Sequence, residues 1–235
     1  CGVLGRSGTP IASWMMNESD LLVVVGASFS NHTGIAPYKP IIQVDDDPMA
    51  LGRFHSVDEP VLGNVGVAAD AMLAAIGDDH ACIALTDEVA ERWRIWRDEK
   101  SSRTTDARGH GRDAASLFAA LSRQAPSDAV MCVDVGNNTY SFGRYFEVDA
   151  QSVLMSGYLG SIGFGLPAAM GAWAAVGDER KVISVSGDGG FGQYAMELTT
   201  LVKYGMNVTH VLMNNSELGK ISKEQRSAEL DVWQT

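Results

Sequence analysis

From residue 113 onward the chain alternates short apolar runs with helical patterns, and this alternation restricts its fold more than any other feature. The helical pattern "DAASLFAALSRQA" is followed by the strand pattern "DAVMCVDVG" and a helix near "NTYSFGRYF". Next come the strand "SVLMSG", the helix "GFGLPAAMGAWAAV", the strand "KVISVSGDG", the helix "QYAMELTTLVKYG" and the strand "NVTHVLMNN". Strands separated by helices pair in parallel, which predicts a doubly wound sheet with helices on both faces. Ligands of such sheets bind outside the carboxyl ends of the strands, where the turns "DVGNN", "SGDGG" and "MNNSELG" fall.

The first hundred residues carry a shorter version of the same pattern. "LLVVVGAS" and "KPIIQVDDD" read as strands, and "VAADAMLAAIGDD" and "DEVAERWRIWRDEK" as helices burying apolar positions at spacings of three and four. Apolar runs without internal alternation predict strands covered on both faces. Between the halves, "EKSSRTTDARGHGRD" (residues 99–113) has almost no apolar side chain and reads as a linker. The expected fold class is therefore α/β with two doubly wound parallel-sheet units, in residues 1–100 and 113–235, joined by a linker over 101–112.

Composition narrows the function classes. Of 235 residues, 46% are hydrophobic and 20% charged, enough for an ordinary core. The longest apolar runs have strand length, well short of the roughly 18 to 20 residues of a membrane helix, so no membrane span is expected. Net charge is −11 and the Lys and Arg residues are scattered, which argues against nucleic acid as a partner. Cys1, Cys82 and Cys132 fit no CxxC pattern and read as buried free thiols in a reducing compartment, the cytoplasm by default. The opening "CGVLGRSGTPIASWMM" has neither an initiator Met nor a signal pattern, and a truncated chain is expected.

Asp188 follows the strand "KVISVS" among Gly187, Gly189 and Gly190, where a backbone free of Cβ atoms can approach a ligand. Asn215 ends the next strand pattern, and neighbouring parallel strands lie about 4.8 Å apart, so the two side chains can share one cation. One carboxylate and one carboxamide are too few to cage Mg²⁺, which completes its shell with water and phosphate oxygens. A bridged diphosphate follows, held by amides at glycine-rich helix starts such as "GDGGFGQ" and "DVGNNTY". Taken alone, Gly-Asp-Gly reads first as a strand-to-helix turn with Asp as the cap. Residues 190–213 give room for a loop, a helix and a strand returning to the same sheet edge, which favours a shared site.

Gly-Asp-Gly, this interval and then Asn-Asn resemble the thiamine-diphosphate motif, and "SGYLGSIGFGLPAAMGA" resembles the segment that precedes it. Together they resemble the acetolactate synthase and pyruvate oxidase family of thiamine-diphosphate enzymes, over residues 112–227. "LGRSGT", "DLLVVVGASF" and "IIQVDDDPMALGR" resemble part of that family's central domain. No stretch resembles its N-terminal pyrimidine-binding domain, whose glutamate activates the cofactor, so this segment alone is expected to be inactive.

The resemblance implies thiamine diphosphate and Mg²⁺, with Asp188, the Asn215 side chain and the Glu217 carbonyl as metal ligands. It implies Gly136, Asn137, Asn138, Gly189, Gly190, Leu218 and Gly219 around the diphosphate. Gly160 would accept the aminopyrimidine hydrogen bond through its carbonyl, and Ile162 would wedge the cofactor rings. Ile221 matches an aliphatic pocket position, and Glu224 matches a pocket glutamate of the pyruvate oxidase type. The implied activity is decarboxylation of a pyruvate-like 2-oxo acid with transfer of the remaining unit. Acetolactate-synthase-type carboligation and a non-catalytic cofactor-binding module are the alternatives. FAD is a further alternative cofactor near Asp45 and Asp47, although Asn64 stands where flavin-bearing members have Asp. The implied assembly is a homodimer or homotetramer.

Overall fold

The computed structural model describes residues 1–27, 30, 33–77, 83–104, 111–157 and 159–235. Cys82, His32, His80, His110, part of "ASFSNHTG" and linker residues 105–110 lie outside the described residues. The chain divides into two units, Cys1–Ser101 and Ser102–Thr235.

The first unit contains helix α1 (Pro10–Glu18), strands β1 (Leu22–Val25), β2 (Ile41–Asp45) and β3 (Glu59–Leu62), helix α2 (Val65–Ile76) and most of helix α3 (Thr86–Thr104). Its three strands are parallel in the order β1-β2-β3. Thr9 caps α1 by accepting the Ala12 amide, with Pro10 at the first helical position, where the missing N–H costs nothing. Helix α3 continues through Thr104, so the stretch expected to be linker begins inside a helix.

Two expectations fail in this unit. Only β2 is covered on both faces; β1 alternates between half-buried and exposed residues, because it lies at the sheet edge. Helix α2 buries none of its residues, and α3 buries only Trp96 and Lys100, so most of their apolar stripes lie open. Periodicity reports that a helix has an apolar face, and a neighbouring element must still cover it.

The second unit follows the predicted alternation: α4 (Ala114–Gln124), β4 (Val130–Val133), α5 (Asn137–Tyr145), β5 (Ser152–Met155), α6 (Gly165–Val176), β6 (Val182–Gly187) and α7 (Asp188–Tyr194). After a 3-10 turn at Ala195–Glu197 come α8 (Leu198–Lys203), β7 (Val208–Met213) and α9 (Gly219–Ser227). The single helix expected before β7 is thus split into two short helices and a turn. All four strands are parallel, in the order β5-β4-β6-β7. The chain leaves β4 toward β5 and returns past it to β6, which makes the carboxyl ends of β4 and β6 the switch point of the sheet.

Packing on both faces explains why β4 and β6 are apolar without alternation. On one face Met131, Val133, Ile183 and Val185 meet Phe118, Phe142 and Phe146 of the α4 and α5 layer. On the other, Val130, Cys132 and Val182 meet Ala169 and Ala172 of α6. The small residues let α6 lie close to the strands. Cys132 is buried, and burial pushes its thiol up to about 12, so it is inert. Cys1 is exposed, contrary to the expectation of buried thiols, because it precedes every element of the fold. Among the described residues no helix is long and apolar enough to cross a membrane.

Phe118 holds the first layer together: it is fully buried, edge-on to Phe142 at 5.7 Å, and Phe142 stacks on Phe146 at 4.6 Å. Phe118→Ala is expected to destabilise this unit by about 3–5 kcal/mol in urea unfolding. A loss below about 1 kcal/mol would show that the layer does not depend on this ring.

Candidate functional site

The register of β6 with β7 builds the site. Gly187 pairs with Met213, so Asp188 and the Asn214–Asn215 turn leave adjacent strands side by side. Asp188 begins α7, and its neighbours Gly189 and Gly190 form the first turn of that helix. Hydrogen bonding orients the Asn215 carboxamide so that its Nδ2 donates to Asp188 Oδ1 at 3.2 Å and to the Glu217 carbonyl at 2.9 Å, and the three groups converge at one point. Turned over, the carboxamide would present its oxygen beside the other two, the kind of oxygen set that a hard cation such as Mg²⁺ takes. Ser216 turns the chain here with a positive φ of 55°, and its amide donates to Asn214 Oδ1 at 3.0 Å.

An open cavity of about 390 Å³ borders this cluster, lined by Asp188, Gly189, Asn214, Ser216, Glu217 and Leu218, with Thr235 beside them. Helices α5 and α9 both start near it, and neither has a side chain capping its first turn; their cap positions are Gly136 and Leu218. Uncapped helix starts present free amides and a positive dipole end, the environment an anion requires. The two starts meet at Gly219, where an added Cβ would lie 2.6 Å from Asn137 Nδ2 and 3.2 Å from Asn215 Nδ2. Ile162, in part exposed, approaches Gly189 from the loop before α6: a Cβ on Gly189 would stand 3.8 Å from Ile162 Cδ1 and 2.5 Å from Leu218 Cδ2.

The structure therefore brings together Asp188, Asn215, Glu217, Gly189, Leu218, Gly219, Gly136, Asn137 and Ile162. Gly160, with φ of +65°, starts the turn that carries Ile162. Asn138 is directed elsewhere. It is buried, and its Nδ2 donates to the Asp134 carbonyl at 2.7 Å, so its side chain braces the β4 turn from within. Gly190 is also buried, and it packs on Asp134.

Glu224 departs most from expectation. Its side chain is 60% exposed and its Oε1 lies 2.6 Å from Lys220 Nζ, one helical turn away, so the carboxylate forms a surface pair along α9 instead of entering a cavity. Lys220 also stands 5.1 Å from the Tyr140 ring. Ile221 is exposed as well. In the first unit, Asp45 Oδ1 accepts the Asp47 amide at 3.0 Å, and Asn64 Oδ1 accepts the Gly66 and Val67 amides as the cap of α2. These side chains serve local turns.

Two polar residues under the site were not singled out from sequence. Asp134, 1% exposed, ends the run "VMCV"; an acid directly closing a fully apolar strand was the available signal. Burial raises its pKa, while the amides of Val135, Gly163, Gly165 and Phe164 pull it down. His210 of β7 lies 3.1 Å from Ser186 Oγ and under the Phe191 ring at 4.8 Å; burial lowers its pKa, with Asp134 opposing. A histidine on the strand beside the Gly-Asp-Gly turn has no motif spacing to announce it.

The two glycines of the turn predict different tolerances. A Cβ on Gly190 would lie 2.3 Å from Asp134 Oδ2, a carboxylate held by backbone amides, whereas at Gly189 the obstacle is the mobile end of Leu218. Gly190→Ala is expected to destabilise by about 1–3 kcal/mol and Gly189→Ala by clearly less, measured by thermal unfolding. The reverse order would refute this account of the turn.

Residues 134–232 match the C-terminal TPP-binding domain of the thiamine pyrophosphate enzymes, and residues 1–72 match the central domain of the same enzymes. The chain is 33% identical to the thiamine pyrophosphate-containing protein YdaP of Bacillus subtilis, over 96% of this chain and 39% of that protein. It is 32% identical to the acetolactate synthase large subunit of Parasynechococcus marenigrum, over 96% of this chain and 37% of that subunit. With the acetolactate synthase isozyme 3 large subunit of Escherichia coli it shares 30% identity, over 95% of this chain and 40% of that subunit. The chain thus spans about two fifths of the length of the curated relatives it matches. Matched in both its parallel-sheet units, the chain belongs to the thiamine pyrophosphate enzyme family.

Proposed function

We propose that this chain is the cofactor-holding part of an enzyme that decarboxylates a pyruvate-like 2-oxo acid and joins the remaining unit to a second 2-oxo acid. The observation that carries the reading is the convergence of the Asp188 carboxylate, the Asn215 carboxamide and the Glu217 carbonyl at one point on the sheet edge, where a turned carboxamide would complete three oxygen ligands for Mg²⁺. With only one formal charge among three oxygens, the ion would keep open positions for phosphate oxygens and water. The uncapped starts of α5 and α9 support a diphosphate beside it, because their free amides would otherwise lack partners. Ile162 and Leu218 give apolar walls on either side of Gly189, suited to the flat rings of thiamine diphosphate and to keeping water from them.

Bound thiamine diphosphate supplies the electron sink on which a 2-oxo acid loses CO₂. The residues of this chain bind and orient it: Asp188, Asn215 and Glu217 through the metal, Asn137 and Gly219 at the diphosphate, Gly160 and Ile162 at the rings. Apart from the Asp188 carboxylate, engaged with the metal in this reading, these contacts are made by neutral groups, which leaves the chain with a scaffolding and electrostatic part in the reaction. Flavin has no part in this reading.

Carboligation is preferred to oxidation for two reasons. The residue that favoured an oxidase, Glu224, is neutralised by Lys220 in the open. The relatives from Parasynechococcus marenigrum and Escherichia coli are acetolactate synthase large subunits.

Calorimetry with Mg²⁺ and thiamine diphosphate is expected to show binding of the two together, and Asp188→Ala or Asn215→Ala each to weaken it by about 10-fold or more. Unchanged affinity in both variants would remove the metal assignment. For the intact protein with pyruvate as the only 2-oxo acid, the product is expected to be a 2-hydroxy-3-oxo acid built from two substrate molecules. Acetate or acetyl phosphate as the main product would instead establish the oxidase reading. Glu224→Gln is expected to leave this turnover within about twofold, as for an exposed surface pair.

A further inference from the structure

We propose that Asp134 is a positioning residue that fixes the loop of residues 160–165 against the first turn of α7, and so sets Ile162 and Gly189 at the distance the cofactor site requires. The inference rests on the cofactor reading given above. Asp134 lies at the carboxyl end of β4, where the sheet reverses its winding, and it touches the turn after β4, the loop before α6 and the first turn of α7. Its Oδ1 accepts the Val135 amide at 2.6 Å and the Gly163 amide, 29 residues away, at 2.8 Å. Its carbonyl accepts Asn138 Nδ2 at 2.7 Å and the Thr139 hydroxyl, which ties down the start of α5. Its Oδ2 lies against Gly190, where an added Cβ would come within 2.3 Å.

Three features separate this arrangement from ordinary packing. Helix α6 has Phe164 at its cap position and no capping side chain of its own, and the Asp134 carboxylate, from another strand, accepts the Gly163 amide immediately before that cap. That contact holds the segment Gly160 to Gly165, on which Ile162 is mounted, to the sheet and not merely to its own helix. Asp134 is 1% exposed while its Oδ2 has no hydrogen-bond partner. A buried carboxylate with an unused oxygen is a poor choice for stability, since a Val or Leu would fill the volume without desolvating a charge. The acceptor function has to be what the position requires. Finally, Gly190 leaves no room for any side chain over Oδ2, so the carboxylate sets how closely α7 approaches β4, and Gly189 follows from Gly190.

The test combines hydrogen exchange and cofactor titration on the same chain. In Asp134→Ala the amides of Gly163, Phe164 and Gly165 are expected to exchange about 5- to 30-fold faster, the effect of losing one buried acceptor, while those in the middle of β4 and β6 keep their rates. Thiamine diphosphate affinity at saturating Mg²⁺ is expected to fall by about 10-fold. Asp134→Asn keeps an acceptor at the Oδ1 position and is expected to retain both the protection and, within about threefold, the affinity. Unchanged exchange at Gly163–Gly165 in Asp134→Ala overturns the proposal, and so does a uniform loss of protection across the sheet, which would make Asp134 a stability residue only. Wild-type affinity in Asp134→Ala overturns it too. Should Asp134→Ala not fold, Asp134→Asn decides: a folded variant with lost local protection or lost affinity overturns the positioning role, and retention of both supports it. A wild-type chain that shows no Mg²⁺-dependent binding of thiamine diphosphate overturns the cofactor reading and the positioning role with it, while the exchange pattern still decides whether Asp134 holds the loop before α6.

Discussion

The parallel pairing of β6 with β4 on one side and β7 on the other is the constraint on which the second unit depends. Parallel strands end on the same side of a sheet, so every turn that follows a strand opens onto one edge. Ser186 pairs with Leu212 and Gly187 with Met213, and this brings an Asp and an Asn far apart in sequence to within one strand spacing. A shift of one residue in that register would turn one of the two side chains away. The burial of β6 on both faces prevents the slip, because Val182 and Val185 face different layers and each fits only its own.

Glycine then determines what can approach this edge. Gly189, Gly190 and Gly219 each sit where a Cβ would strike a neighbour, and the neighbours are Leu218, Asp134 and Asn137. The three turns are therefore pressed together, not merely adjacent. Helix starts left without caps face the same edge, and the only charge within the oxygen cluster is that of Asp188. A cation and an anion bound together resolve both deficiencies, which is why a metal-bridged diphosphate suits the edge better than either ion alone. Asp134 extends the logic one layer deeper: an unexposed carboxylate serves as the point from which the surrounding turns are measured.

Glu224 shows how a matched position can mislead about function. The helix that carries it begins at the site, yet the carboxylate pairs with Lys220, four residues back along its own helix. The same comparison holds at Asn64 and Asp45, whose side chains complete a helix cap and a turn. A polar residue near a binding edge satisfies its nearest available donor first. Its role is decided by that local competition.

The sequence by itself determined the second unit's order of elements, the parallel sheet and the turns where ligands gather. Periodicity, glycine placement and Asn-Asn after an apolar run are local properties of the chain. It also carried the pairing of Asp188 with Asn215, since the interval between them has the length of one return to the sheet. Only the tertiary structure decided which apolar faces find cover, leaving α2 open and β4 closed, because burial belongs to a pair of surfaces and not to one. It alone turned Asn138 inward and sent Glu224 outward, since a side chain's direction follows from backbone geometry and competing partners. It alone assigned Asp134 its position under the site: a contact between residues 134 and 163, and another with Gly190, exists only once three separate turns have closed on one another.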